Sequence, residues 1–131
     1  MNFKQILKLA SVLGVISVIF GAFGAHKLKE LISVESLQTW ETGIRYQFYH
    51  TFAIMFSGFL LMKTNFKEFR LASLAFFIGI IMFSGSLYGL SLRALTSLNL
   101  VWLGPITPLG GISFIVGWIY LFVGTSKIKI N

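Results

Sequence analysis

Charged residues are absent from four long stretches of this sequence: Leu9 to Ala25, Tyr46 to Met62, Leu71 to Leu92 and Ala94 to Ser126. A helix needs about 20 apolar residues to cross the hydrocarbon core of a bilayer, with 17–25 the usual range. The first three stretches therefore fit one span each. The fourth is too long for one straight helix and is interrupted by Gly104-Pro105-Ile106-Thr107-Pro108-Leu109-Gly110-Gly111. With Thr107 as N-cap and Pro108 as first helical residue, a fourth span starts there, because proline lacks only a donor that is orphaned at that position. The sequence predicts an all-α integral membrane protein, one domain over residues 1–131, with four transmembrane helices at about 7–26, 43–62, 71–92 and 108–126.

Composition excludes the soluble alternative. Only 11% of residues are charged and 56% are hydrophobic, against about 25% charged in a soluble domain. A small domain has a high ratio of surface to volume, so this apolar excess has no core to enter. The net charge of +7 would suggest nucleic acid in a soluble chain, but here the cations cluster between apolar runs and read as topology signals; no nucleic-acid partner is expected. The first run is longer than the 7–15 residues of a signal-peptide core, so it reads as a retained helix.

Lys and Arg also set the orientation. Lys4, Lys8, Lys63, Lys67, Arg70, Lys127 and Lys129 fall on one side, and Lys27, Lys29, Arg45 and Arg93 on the other. The richer side is cytoplasmic, so both termini are expected there. In the first loop Val34, Leu37, Trp40, Ile44 and Phe48 recur at helical spacing, with Ser33 or Ser36 able to cap the start. The second helix is thus expected to begin outside the membrane and run inward without a break.

That helix carries the strongest polar signal. Glu41 and Arg45 stand four apart in the favourable acid-first order, Tyr46 and His50 are also four apart, and Tyr49 can stack on Arg45. If Lys63 marks the inner boundary, Arg45 lies just inside the outer interface and His50 roughly 7 Å deeper. Such residues face protein, water or a partner. One reading is a proton-linked or anion-binding site of Glu41, Arg45 and His50. The other is a snorkelling Arg, an interfacial salt bridge and a neutral His bonded to a neighbouring helix. His26 either joins this layer or sits at the interface, favouring the C-terminal dipole of the first helix.

Gly14, Gly21, Gly24 and Ala25 form a small-residue face on the first helix, and Ser84, Gly85, Ser86 and Gly89 one on the third. Small residues let helices approach closely in lipid, so both faces are read as packing surfaces, and a homo-oligomer is expected of so thin a bundle. Gly104, Pro105, Thr107, Pro108, Gly110 and Gly111 are expected to be non-helical, as a re-entrant turn or an interfacial loop. No catalytic site is expected: the chain has no Cys and no Asp, and no HExxH, GxSxG, P-loop or GxGxxG arrangement. His26, His50 and Glu41 lack ligand spacing within one helix, so no metal and no cofactor are expected. Membrane lipids are the partners implied.

Phe20-Gly21-Ala22-Phe23-Gly24-Ala25-His26, the run from Trp40 through Glu41 and Arg45 to His50, Phe83-Ser84-Gly85-Ser86-Leu87-Tyr88, the Gly104–Gly111 segment and Gly117-Trp118 follow one another in an order that resembles the small membrane proteins called domain of unknown function 423. Human transmembrane protein 256 resembles the same set. The resemblance covers essentially the whole chain. It implies a multi-pass protein of the bacterial inner membrane with four helices, and it carries over no catalytic residue. Two functions stay open: a non-catalytic accessory or structural protein of the bilayer, or a small transporter or ligand-binding protein built on the Glu41, Arg45 and His50 layer.

Overall fold

A computed structural model describes residues 1–129. Four long helices follow in chain order: α1 (Phe3–His26), α2 (Val34–Thr64), α3 (Lys67–Ser91) and α4 (Ile106–Ser126). A capping box starts α1, with Asn2 Oδ1 accepting from Gln5 N at 3.0 Å and Gln5 Oε1 from Asn2 N at 2.8 Å, which satisfies two orphan donors reciprocally. A 3₁₀ turn (Leu28–Glu30) leads to Ser33, whose hydroxyl caps α2 by accepting from Ser36 N. α2 then runs 31 residues unbroken, about 46 Å at 1.5 Å per residue and longer than the roughly 30 Å hydrocarbon core. Asn65 closes it in the left-handed conformation (φ 58°), a geometry Asn tolerates better than most residues, and turns the chain into α3 within two residues.

α3 contains one wide stretch, Ile80–Ser84, where Gly85 N bonds back to Ile80 O. Short 3₁₀ turns at Arg93–Leu95 and Val101–Leu103 then lead to α4. α1, α3 and α4 are each long and apolar enough to cross a membrane. The four-span expectation needs α2 as well, whose apolar run is diluted by Tyr46, Gln47, Tyr49 and His50.

The proline-glycine segment is folded differently from the expectation. Gly104 and Pro105 alone are non-helical, and Thr107, Pro108, Gly110 and Gly111 lie within α4. Thr107 is not the N-cap; Pro105 takes that position, and the Thr107 hydroxyl bonds Ser86 Oγ at 2.7 Å on α3. The physical reason is that the first four helical N–H groups have no intrahelical acceptor, so Pro108 removes no hydrogen bond. The glycines serve contact instead. Among the described residues no glycine has positive φ.

The core is a line of close approaches between α3 and α4. Gly110, Gly117 and Gly124 recur every seven residues on α4, and Phe83, Phe76 and Phe69 recur every seven on α3, facing them one to one. Phe114 fills the matching hole at Gly79. A Cβ at Gly117 would lie 2.5 Å from the Phe76 ring, and one at Gly124 2.8 Å from Phe69, so only glycine admits these rings at this helix separation. Ile6, Ala10 and Leu13 of α1 and Ile54 and Leu61 of α2 complete the cluster.

The expected packing glycines divide. Gly24 meets the Trp40 indole, and Gly89 meets Leu103. Gly14, Gly21 and Gly85 pack against nothing in their own chain: a Cβ there would find nothing within 4 Å. Period and residue size mark a face as close-packing without saying which neighbour is present.

Candidate functional site

α2 buries a stripe that alternates small and polar residues: Trp40, Gly43, Gln47, His50, Thr51, Ile54, Ser57 and Leu61. In lipid the outward face is the apolar one, so groups needing hydrogen bonds turn toward the other helices. Two polar centres result.

Gln47, 3% exposed, bridges three helices. Its amide nitrogen donates to Leu13 O of α1 at 3.1 Å, and its oxygen accepts from Tyr88 Oη of α3 at 2.8 Å. The Tyr88 ring reaches it over Gly43, where a Cβ would stand 2.7 Å from the ring. Trp40 closes this centre above, packed on Tyr88 at 4.7 Å between centroids and donating from Nε1 to Phe20 O at 3.1 Å. Sequence reasoning missed both Gln47 and Tyr88. The available signal was an amide inside an otherwise apolar run, which in a bilayer demands a partner.

His50, 5% exposed, forms the second centre one turn deeper. Nδ1 lies 2.7 Å from Tyr46 O, and the Trp118 indole N–H donates to Nε2 at 3.3 Å. A carbonyl on one nitrogen and a donor on the other assign the neutral Nδ1–H tautomer. Phe114 stacks on the ring at 3.5 Å and 4°, with Phe76 at 5.5 Å. Both nitrogens are committed and both faces are covered by protein. Two hydroxyls, Thr51 Oγ1 next to His50 in the chain and Ser84 Oγ on α3, are buried without a partner.

The remaining candidates do not join this centre. Glu41 and Arg45 lie on the outer side of α2 and line a cleft of about 260 Å³ together with Ile44 and with Gly21, Gly24 and Ala25 of α1. The expected Glu41–Arg45 ion pair is not formed: Arg45 Nη2 donates to Thr42 Oγ1 at 3.1 Å, and among the described residues the single salt bridge is elsewhere. An exposed i,i+4 pair is worth only about 0.3–0.5 kcal/mol, so a hydroxyl one turn back competes with it. Tyr46 packs on Phe83 at 4.5 Å, while Tyr49 is exposed with Tyr46 as its ring neighbour at 6.0 Å rather than stacked on Arg45. His26 is exposed at the end of α1. The predicted single layer is thus two places, an enclosed His50 and an open Glu41–Arg45 cleft. Among the described residues no three His, Cys, Asp or Glu side chains gather as metal ligands. With no ion pair to break, Glu41→Gln and the double change Glu41→Gln with Arg45→Met should leave detergent stability equal within about 0.5 kcal/mol. A single variant markedly less stable than the double one would restore the pair.

At the opposite end Lys127 Nζ lies 2.6 Å from Glu68 Oε1 and ties the end of α4 to the start of α3. The hydrogen bond from Lys127 holds the Glu68 carboxyl below the ordinary carboxylate range, and the backbone N–H of Glu68 adds to it. A carboxyl depressed on folding contributes stability above its unfolded value, and that contribution disappears as pH falls through the folded value. Thermal stability in detergent should therefore decline below about pH 4.5 in the wild type. Glu68→Gln should flatten that decline, and an identical acid profile for the variant would contradict the assignment.

The family model described as "Protein of unknown function (DUF423)" matches residues 20–111. A UPF0382 membrane protein of Staphylococcus saprophyticus is 40% identical over 95% of this chain and 99% of its own length. One from Haemophilus influenzae is 40% identical over 96% and 97%. The UPF0382 inner membrane protein YgdD of Escherichia coli is 35% identical over 98% and 95%. No solved structure matches. With three membrane-competent helices and relatives named as membrane proteins, this is a multi-pass protein of the bacterial cell (inner) membrane, and the chain belongs to the DUF423 family of UPF0382 membrane proteins.

Proposed function

We propose that this protein is a non-catalytic accessory or structural component of the membrane, crossing it four times with both termini cytoplasmic. The observation that carries the reading is His50: each ring nitrogen already holds a protein partner, and Phe114 and Phe76 cover the ring. A histidine so enclosed fastens α2 to α4 and leaves no lone pair or proton for a ligand. Support for α2 as the fourth span comes from its other face, where Phe52, Phe56 and Phe59 are exposed at helical spacing, as lipid contacts would be. The hydropathy of α2 is low because its polar groups point inward, not because the helix shuns lipid. Charge supports the orientation, since seven Lys and Arg stand at the inner end against four at the outer end.

Lipids are its first partners, and a homo-oligomer is the expected assembly of so thin a bundle. Proteoliposomes containing the purified protein and an internal pH dye test the functional reading. No proton flux above that of empty vesicles is expected, for the wild type or for His50→Phe. Flux that His50→Phe removes would replace this reading with a transporter. Cysteines at Asn2 and Ser126 should react with an impermeant reagent only after the membrane is opened.

A further inference from the structure

Two clefts follow one another along the seam between α1 and α2, one of about 430 Å³ around Gly14 and Phe48 and one of about 260 Å³ around Gly21 and Arg45, and together they form one groove. Gly14, Val18, Gly21 and Ala25 recur along one wall at steps of four, three and four residues, and Phe48, Ile44 and Glu41 along the other in the opposite sense. A Cβ at Gly14 or Gly21 would find nothing within 4 Å, so none of the described residues fills the groove there. Its character changes along its length. Around Phe48 and Gly14 the lining is wholly apolar, with Val15, Val18 and Ile19. At the other end stand one cation, Arg45, and one anion, Glu41, a single turn apart and not paired with each other.

From Gly14 to Ala25 the groove runs about 16 Å at 1.5 Å per residue, about half of the roughly 30 Å hydrocarbon thickness. It is one leaflet deep. A groove of that depth, apolar throughout its inner part and bearing both signs of charge at its mouth, has the polarity of one phospholipid molecule. A guanidinium suits a phosphate, and Thr42 already orients that of Arg45. A carboxylate one turn away suits an ammonium. A helix of a second copy fits less well, because it would remove Glu41 and Arg45 from water without supplying either with a partner from its own apolar span. A free phosphate ester would leave the apolar floor uncovered.

We propose that the α1–α2 groove binds one phosphoglyceride with an amine-bearing zwitterionic headgroup. Arg45 takes the phosphate, Glu41 takes the ammonium, and an acyl chain runs over Phe48 toward Gly14. The proposal rests on α2 spanning the membrane as inferred above.

Native mass spectrometry of the full-length protein in mild detergent tests it, with phosphatidylethanolamine, phosphatidylglycerol and soluble phosphoethanolamine as probes. One phosphatidylethanolamine per chain is expected, held more tightly than phosphatidylglycerol, with no retention of phosphoethanolamine. Arg45→Gln should weaken the lipid about tenfold or more, the loss of one charge-assisted hydrogen bond. Glu41→Gln should remove the preference for the amine headgroup. Gly21→Leu projects into open space, so it should leave thermal stability unchanged while abolishing retention. Equal binding of both lipids, unaffected by Arg45→Gln, would overturn the proposal, as would efficient disulfide formation between copies carrying Gly21→Cys, which assigns the groove to a second copy. Cysteine labelling at both ends of α2 reads the topology separately. Opposite-side labelling with a lipid response lost only in the groove variants supports both readings. Same-side labelling removes the span, whatever lipid is retained.

Discussion

Gly110→Ala should destabilise the protein by about 2 kcal/mol or more, while Gly85→Ala changes it by no more than about 0.5 kcal/mol or stabilises it slightly. Both glycines are helical and both belong to faces that look alike in sequence. At Gly110 an added Cβ would meet the backbone nitrogen of Phe83 first, then its Cα and Cβ, each at 2.8 Å. Those atoms belong to the wide stretch of α3, between Ile80 and Ser84, and cannot rotate away as a side-chain end would. α3 and α4 must separate, and with them the contacts of Phe76 on Gly117 and Phe69 on Gly124. At Gly85 a Cβ meets nothing, and alanine gains up to about 1 kcal/mol of helix propensity. Thermal unfolding followed by circular dichroism in one detergent compares them directly. Equal losses at the two positions would mean that the α3–α4 approach is looser than this structure has it.

Gln47→Leu should cost about 1–3 kcal/mol, because Tyr88 Oη would be left buried without its acceptor. Tyr88→Phe should cost somewhat less, since the Gln47 amide keeps Leu13 O on its nitrogen side. The double variant should recover part of the combined loss, because two apolar groups facing each other leave nothing unsatisfied. The recovered coupling is expected near the bilayer average of about 0.6 kcal/mol and below the largest measured, about 1.7. Strict additivity in this double-mutant cycle would show that Gln47 and Tyr88 do not depend on each other. The cycle matters for function as well as stability. Gln47 joins α1, α2 and α3, so loosening it should also open the groove in which Glu41 and Arg45 stand.

Much of the helical framework was legible in the chain. The uncharged runs located four helices because hydrogen bonding of the backbone in lipid is local to each segment. The Ser33 cap and the unbroken course of α2 could be read from residue type and spacing. The fourth helix was read as starting at Pro108 and starts two residues earlier, at Ile106, because Pro108 costs nothing anywhere in the first turn. The period of Val34, Leu37, Trp40, Ile44 and Phe48 was read as helical, with no inner face assigned to it. Only Trp40 of that set is fully buried, and the interior stripe continues through Gly43, Gln47 and His50. The rule of apolar inside comes from water, and in a bilayer it loses its direction.

Glu41, Arg45 and His50 illustrate the same division. Spacings of four and five residues placed them near one another along α2, and they could not say that His50 turns toward Phe114 and Trp118 while Glu41 and Arg45 turn toward α1. By itself the sequence determined which segments are helical, where each begins and ends to within a few residues, and which end of the bundle is rich in cations. Each of these sums transfer and hydrogen-bond energies along a single stretch of chain. The tertiary structure alone decided which glycines are contacts and which are open, and which polar groups are enclosed. The sevenfold spacing of Gly110, Gly117 and Gly124, and that of Phe69, Phe76 and Phe83, are both written in the chain. That one set receives the other depends on how two helices lie side by side, which no single stretch of sequence contains.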